Sequence, residues 1–442
     1  MSSQGNWELV SNRERGRSVA RESALLVGVL LGEKKSGESD TPPLEELDGL
    51  AEAAGVEVLG YLTQRRLKPD KTTYLGKGKV EQLQEMIEAT DANLVIFDND
   101  LAPGQTRNLE AVLDVKVLDR TELILDIFAS RAQSHQARLA VELAQLEYAM
   151  PRLKRMWTHL SRQGVGGVGV GLRGPGETQL EVDRRLAQKK VTDLKKQLNA
   201  IRERKQREVA ARQDTMTVSL IGYTNAGKST LLNALTSSDV FVKDQLFATL
   251  DTRTKRWHLP GWGPVLLSDT VGFIRDLPHH LVEGFRATLE EACQADLLIH
   301  VADGSNPAVA DQVSSAYQVL KELGIEEKNT VLVVNKVDSL KNGHEIERLM
   351  SRYPDAVPIS AQTGEGLDRL STAVSDALSR DFLNVEVEMA ISNGRLMAYI
   401  ADKGEVLSET YEEDRAVIRC RLPRRHLGRV EKEKDVRVSP IS

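Results

Sequence analysis

Cysteine and aromatic residues are scarce in this chain: two cysteines in 442 residues, with Phe, Trp and Tyr together at 4%. Cys293 and Cys420 stand in unlike contexts, which argues against a disulfide framework or a cysteine metal knuckle and fits a reducing cytoplasm. Long apolar runs are missing as well. The longest, ALLVGVLL at 24–31, falls far short of the roughly 18 to 20 residues that cross a bilayer. It is followed by GEKKSGESD instead of a small-residue cleavage site, so neither membrane insertion nor export is expected.

What is present points to a soluble protein with sizeable cores: 40% hydrophobic and 28% charged residues, over a length that asks for about two to four domains. The net charge of −6 is unevenly spread. Residues 151–210 carry +9, leaving −15 on the remainder, which implies a basic element on an acidic body and an anionic partner for it.

Residues 1–22 are polar and without periodicity, and read as a tail. From 23 to 130, short apolar runs at 24–31, 56–61, 93–99 and 115–119 alternate with helical patterns, which predicts an α/β domain with a largely parallel sheet. The glycines of YLGKGKVEQL, Gly76 and Gly78, read as a turn into a helix, with an anion contact as the less favoured alternative.

From 131 to 213 the pattern changes. Leu139, Leu143, Leu146, Met150, Leu153, Trp157 and Leu160 recur at spacings of 4 and 3, as do Ala187, Val191, Leu194, Leu198 and Ile201. Two such seams joined by a glycine-rich stretch predict an antiparallel helical hairpin, with Pro151 kinking or dividing its first helix. GVGGVGVGLRGPGET, 164–178, contains a literal G-x-G-x-x-G, but it follows a helix where a dinucleotide loop must follow a strand. It reads instead as the hairpin tip. Arg155, Arg162, Arg173, Arg184, Arg185 and Lys189, with Arg152, Lys154, Lys190, Lys195 and Lys196 beside them, are read as the basic, RNA-facing side; a solvated charged face is the alternative.

The stretch 214–380 carries the chemistry. A strand at Val218–Ile221 runs into GYTNAGKST (Gly222, Tyr223, Thr224, Asn225, Ala226, Gly227, Lys228, Ser229 and Thr230) and then a helix. This is the P-loop in its proper setting: amides and a helix N-terminus for phosphate, Lys228 for the β and γ phosphates, and the Ser229 hydroxyl for Mg²⁺. Asp269, Thr270, Val271 and Gly272 end another apolar strand, offering a carboxylate to the metal shell and the Gly272 amide to a γ-phosphate. Asn335, Lys336, Val337 and Asp338 close a further strand. Asp338 is expected to be a buried carboxylate facing the base edge, accepting hydrogen bonds from guanine's ring N–H and amino group, donors that adenine lacks in that place. Ser360, Ala361 and Gln362 suit guanine's O6 through a backbone amide. Between the P-loop and Asp269, Thr249, Thr252 and Thr254 compete by composition for the metal-binding threonine of a switch loop.

These phrases together, LGYLTQRR, VIFDNDLAPGQTRNLE, VLDRTELILDIFASRA, AQLEYAMPRLKRMW, GLRGPGETQLEVDRR, GYTNAGKS, LFATLD and DTVGFI, resemble the HflX family of translation-associated GTPases over about residues 24 to 380. The resemblance implies that Phe247, Ala248, Thr249, Leu250 and Asp251 form the switch motif with Thr249 as Mg²⁺ ligand. It also implies that the protein docks on the large ribosomal subunit and its rRNA. Related GTPases with NAGKS use such an asparagine to hold K⁺, so Asn225 is either a potassium ligand or a residue tolerant of a turn. Phe273 stands where other GTPases carry a water-orienting glutamine, which implies slow intrinsic turnover raised by the ribosome. TLDTRTKR at 249–256 lacks the proline that family members usually carry there.

Residues 381–442 read as a small strand–helix–strand–strand module with a basic end. The whole is expected to be a cytoplasmic, monomeric, Mg²⁺-dependent GTPase of mixed α/β fold: an N-terminal α/β domain, a long antiparallel hairpin, a P-loop domain with a mostly parallel sheet, and an α+β C-terminal module. A GTP-dependent switch that binds a protein through the hairpin, and a nucleotide-driven RNA-remodelling enzyme, are the rival readings.

Overall fold

The structure, a computed structural model, describes residues 22–32, 44–163, 175–211, 216–236, 246–247, 252–260, 263–275, 292–322, 325, 329–340, 343–380, 382–412, 414–433 and 435–441. The side chains of 153–163, 175–183, 205–211, 343–345 and 425 are outside the description. The glycine-rich tip at 164–174, with Arg173, lies outside the described residues, as do Ala248, Thr249, Leu250 and Asp251. By its contacts the chain forms two compact units: Met1–Arg207 with Phe241–Thr252 and Thr270–Glu290, and Glu208–Val240 with Arg253–Asp269 and Glu291–Ser442.

In the first unit, β1 (Ser23–Leu31) is apolar from Ala24 to Val29, where it is buried on both faces. Ala24 and Leu26 join one core with α1 (Glu45–Ala54) and α4 (Arg120–Arg131), where Leu47, Leu50, Ile124 and Phe128 are buried. Leu25, Val27 and Val29 join the other, with Leu83 of α2 (Lys77–Thr90) and Leu109 of α3 (Pro103–Leu113). Side chains on a strand alternate between faces, so one apolar run serves two cores. The sheet, order β2–β1–β3–β4, is parallel throughout, with β2 at Glu57–Arg66, β3 at Leu94–Phe97 and β4 at Lys116–Asp119. Asp119 caps α4 by accepting from the Glu122 amide at 2.9 Å, and Pro103 opens α3 at a position where its missing N–H costs nothing.

Two long helices follow, α5 (His135–Gln163) and α6 (Pro175–Ala211). They pack seam to seam through Leu139, Leu143, Val191, Leu194 and Leu198, the heptad positions read from the sequence. Pro151 lies inside α5, which is one continuous helix and is not divided there.

The second unit contains a six-stranded sheet of order β10–β9–β8–β5–β7–β6, parallel except for β6. Its strands are β5 (Thr217–Gly222), β6 (Arg253–Leu259), β7 (Gly263–Asp269), β8 (Leu297–Asp303), β9 (Thr330–Asn335) and β10 (Val357–Pro358). Val218, Leu220 and Ile299 pack on Leu231 and Leu232 of α7 (Lys228–Thr236) and on Leu370 and Val374 of α10 (Leu367–Ser379). On the opposite face Ala302 packs with Val309 and Val313 of α8 (Val309–Glu322) and with Leu349 of α9 (Gly343–Arg352).

The unit ends in a second sheet, antiparallel, of order β12–β13–β11–β14: β11 (Phe382–Ala390), β12 (Glu405–Glu412), β13 (Arg415–Pro423) and β14 (Arg437–Pro440). Two helices, α11 (Gly394–Lys403) and α12 (Arg424–Val430), complete a strand–helix–strand–strand–helix–strand module, one helix and one strand more than the sequence suggested. The basic stretch RRHLGRV forms that extra helix, because Val430 is fully buried and His426 Nδ1 meets the Tyr399 hydroxyl at 2.9 Å. Among the described residues, no helix is long and apolar enough to cross a membrane.

Candidate nucleotide site

The site is built at the ends of β5, β7 and β9 of the six-stranded sheet, with β8 between β5 and β9. β5 ends at Gly222, whose φ of 141° and tight packing require glycine: a Cβ there would lie 2.1 Å from the Val301 carbonyl oxygen. The loop then passes through Asn225 at φ 59° and Gly227 at φ 89° before α7 begins at Lys228. Asparagine tolerates the left-handed conformation, so the turn reading of Asn225 has its geometry.

Lys228 is buried, and its Nζ donates to the carbonyls of Gly222 at 3.1 Å and Tyr223 at 2.7 Å. Burial lowers its pKa to about 8, opposed by the nearby Asp269 carboxylate. The ammonium is thus held inside the loop by that loop's own carbonyls. Ser229 Oγ donates to Asp269 Oδ2 at 2.5 Å, joining the first turn of α7 to the end of β7. Asp269 is fully buried. A hydroxyl and a carboxylate so placed are hard oxygen donors of the kind that hold Mg²⁺.

Asn335, at the end of β9, is buried and acts as a brace. Its Nδ2 donates to the Ala226 carbonyl at 2.8 Å, and its Oδ1 accepts from the Ala361 amide at 2.9 Å. It therefore ties the phosphate loop to the loop carrying Ser360 and Ala361. A Cβ on Gly227 would approach Asn335 Nδ2 to 2.2 Å, so the second glycine of the loop is needed for this brace as well as for its φ. Lys336, at φ 64°, pairs with Asp303 at 2.8 Å. Asp338 follows in a 3₁₀ turn, Val337–Ser339, and is exposed, where the sequence suggested a buried carboxylate, because the turn lifts it beyond the end of β9. Ser360 hydrogen-bonds its carboxylate and holds the pKa below the ordinary value. Ser360 is itself fully buried, while Gln362 is exposed.

One buried residue near this loop carries no motif in the sequence. His300, opposite Ile221 in the β5–β8 register, is 1% exposed and stacks edge-on against Tyr317 at 5.1 Å. Burial, reinforced by the Lys228 charge, pushes its pKa down to about 4, so it is neutral at pH 7. The only sequence signal is a lone histidine in the apolar run LLIHVAD.

Thr254 lies on β6 and its hydroxyl bonds the Ser268 hydroxyl at 3.0 Å, which commits it to the sheet. Phe247, Thr270, Val271 and Gly272 are all buried. Phe247, at φ 56°, packs edge-on against Phe128 at 4.5 Å within the first unit. Val271 and Ile274 belong to the same core as Phe128. Arg184, Arg185 and Lys189 are exposed on α6, whereas the side chains of Arg155 and Arg162 fall outside the description. Lys190 and Lys195 pair with Glu142 and Glu147 of α5. Arg152 does not lie on the hairpin's free basic side: it turns to Asp119 at 2.8 Å.

Comparison with known proteins adds three family matches. Residues 42–129 match the family described as GTP-binding GTPase N-terminal, 131–212 its Middle Region, and 217–336 the 50S ribosome-binding GTPase family. The chain is 42% identical over 411 residues to the GTPase HflX of Escherichia coli K12, covering 92% of this chain and 95% of that one. It is 43% identical over 385 residues to the GTPase HflX of Chlamydia pneumoniae, covering 86% and 82%. A solved GTP-binding protein from Sulfolobus solfataricus, in complex with GDP, aligns over 81% of this chain and 99% of that one at 23% identity, with a TM-score of 0.41.

Proposed function

The chain belongs to the HflX family of GTPases, and on that premise we propose that it binds and hydrolyses GTP while docked on the large ribosomal subunit, where it acts in recycling or assembly. The single observation that carries the nucleotide part is Asn335. One side chain joins the phosphate loop to the base-recognition loop, so both halves of a guanine nucleotide are addressed by one rigid frame.

In this reading Lys228 leaves the carbonyls of Gly222 and Tyr223 for the β and γ phosphates, and Asp338 reads the guanine edge with the Ala361 amide at O6. Ser229 and Asp269, with Thr249, would hold Mg²⁺, directly or through water. A magnesium ion held there would supply positive charge to the phosphate oxygens. Gly272 offers its amide to the γ-phosphate. Phe273 cannot orient a water molecule, so turnover is slow until the ribosome supplies or places the missing group.

The ribosomal part rests on the basic hairpin. Arg184, Arg185 and Lys189 stand exposed on α6, and Arg155, Arg162 and Arg173 extend the same charge toward the tip in sequence. Such cations bind rRNA phosphates with release of counterions. Co-sedimentation of the purified protein with large subunits, at matched salt, tests this in the cytoplasmic setting expected for it. Binding should be tighter with a GTP analogue than with GDP and fall steeply with salt. Equal, salt-insensitive sedimentation in both nucleotide states would overturn it.

A further inference from the structure

Asp119 and Arg120 are adjacent in sequence, at the junction of β4 and α4, yet their side chains serve different partners. Asp119 faces the hairpin. Its Oδ1 accepts from the Tyr148 hydroxyl at 2.7 Å, and its Oδ2 accepts from Arg152 Nη2 at 2.8 Å. The Arg152 guanidinium lies 3.4 Å over the Tyr148 ring. Tyr148 and Arg152 flank Pro151, whose ring removes a hydrogen bond from that turn of α5, so the Asp119 contacts brace the helix at its weakest point.

Arg120 faces the segment after DTVG. It is 3% exposed and pairs with Asp98 at 2.7 Å and Glu46 at 2.9 Å, and its Nη2 donates to the Arg275 carbonyl at 3.2 Å. Glu46 Oε1 accepts from the Arg275 amide at 3.3 Å, and the Arg275 guanidinium pairs with Asp98 at 2.6 Å. Both backbone polar groups of Arg275 are therefore held, three residues after Gly272. Val271 and Ile274 are buried in the core that also contains Leu123 and Ile124 of α4.

We infer that Asp119–Arg120 is a relay between the helical hairpin and the DTVG segment, with Arg120 as a positioning residue that sets the Gly272 backbone for hydrolysis. A shift of α5 pulls on Asp119, and the start of α4 carries the displacement one residue to Arg120. The inference deepens the reading above, since it supplies a route by which an event at the hairpin reaches the DTVG segment. Its geometry stands independently of the ribosome.

Hydrogen exchange on the full-length protein tests it. Tyr148→Phe and Arg152→Gln, which each remove a bond to Asp119, should each speed exchange of the amides at 272–275 by about tenfold. Arg120→Lys should do so directly, because an ammonium cannot hold Glu46, Asp98 and the Arg275 carbonyl together as a planar fork does. Combining Tyr148→Phe with Arg120→Lys should add nothing further, as expected of residues on one route. Arg120→Lys should also lower kcat for GTP about fivefold with KM within twofold.

Faster exchange confined to 98–122 and 146–152, or additive effects in the double variant, would overturn the relay. A residue that merely stabilised the fold would shift Tm and leave kcat unmoved, which overturns it equally. Because exchange needs no ribosome, a wild-type protein that fails to bind large subunits sinks the ribosomal reading and leaves this inference standing.

Discussion

Asn335 Nδ2 donates to the carbonyl of Ala226 across 2.8 Å, while Oδ1 of the same amide accepts from Ala361. Losing the side chain strands two buried backbone groups, each costing about 1–3 kcal/mol when unsatisfied. Asn335→Ala should weaken GDP binding roughly tenfold or more in a fluorescent-nucleotide titration. Unchanged affinity would show that the brace plays no part in nucleotide binding.

Base selection gives a sharper test. The Asp338 carboxylate only accepts hydrogen bonds, matching the two donors on the guanine edge. Asp338→Asn turns one acceptor into a donor and so favours xanthine, which has a carbonyl in place of the amino group. GTP affinity should fall about 100-fold or more, and XTP affinity should rise, by competition binding. Equal losses for both nucleotides would remove Asp338 from the base site.

His300 carries a pH signature. Its folded pKa is depressed to about 4, below the ordinary 6.5, so the unfolded chain binds the extra proton between those values. Its contribution to stability is complete above pH 6.5 and falls away as the pH drops toward 4, by up to about 3 kcal/mol. Urea melts of wild type and His300→Leu should diverge in pH slope across that window. Parallel slopes would mean that the imidazole takes up its proton without opposing the fold.

Two glycines separate packing from flexibility. At Gly222 a Cβ would collide with the Val301 carbonyl at 2.1 Å and the φ is 141°, so Gly222→Ala should abolish nucleotide binding. Gly78, in the first turn of α2, has open space within 4 Å of where a Cβ would stand, and Gly78→Ala should raise stability by up to about 1 kcal/mol. Thermal melts with and without GDP distinguish the two effects.

Replacing K⁺ with Na⁺ decides between the readings of Asn225. Its φ of 59° accounts for asparagine without an ion, so equal hydrolysis rates in the two salts are expected. Faster turnover in K⁺ would restore the cation.

Much of this site is legible in the sequence because its signals are local. G-x-x-x-x-G-K-S fixes a loop and a helix start within a few residues, and the heptad leucines announce the seam found between α5 and α6. The Arg120 guanidinium and the Arg275 carbonyl, 155 positions apart, leave no such signal, since only tertiary packing brings them together. Arg152 misleads for the same reason: a cation among cations looks solvent-facing until Asp119, 33 residues earlier, is folded beneath it. Likewise Asn335 is recognisable as part of a guanine motif, but its grip on Ala226 is not.

The division of the chain has a practical outcome for anyone seeking the catalytic half alone. Phe247, Val271 and Ile274 lie close in sequence to the P-loop sheet but belong, by their contacts, to the unit that holds α4. A fragment cut out at 214–380 would carry Phe247, Val271 and Ile274 without the α4 residues that cover them, leaving greasy surface in contact with water. Such a fragment should be prone to self-association and a poor stand-in for the intact GTPase.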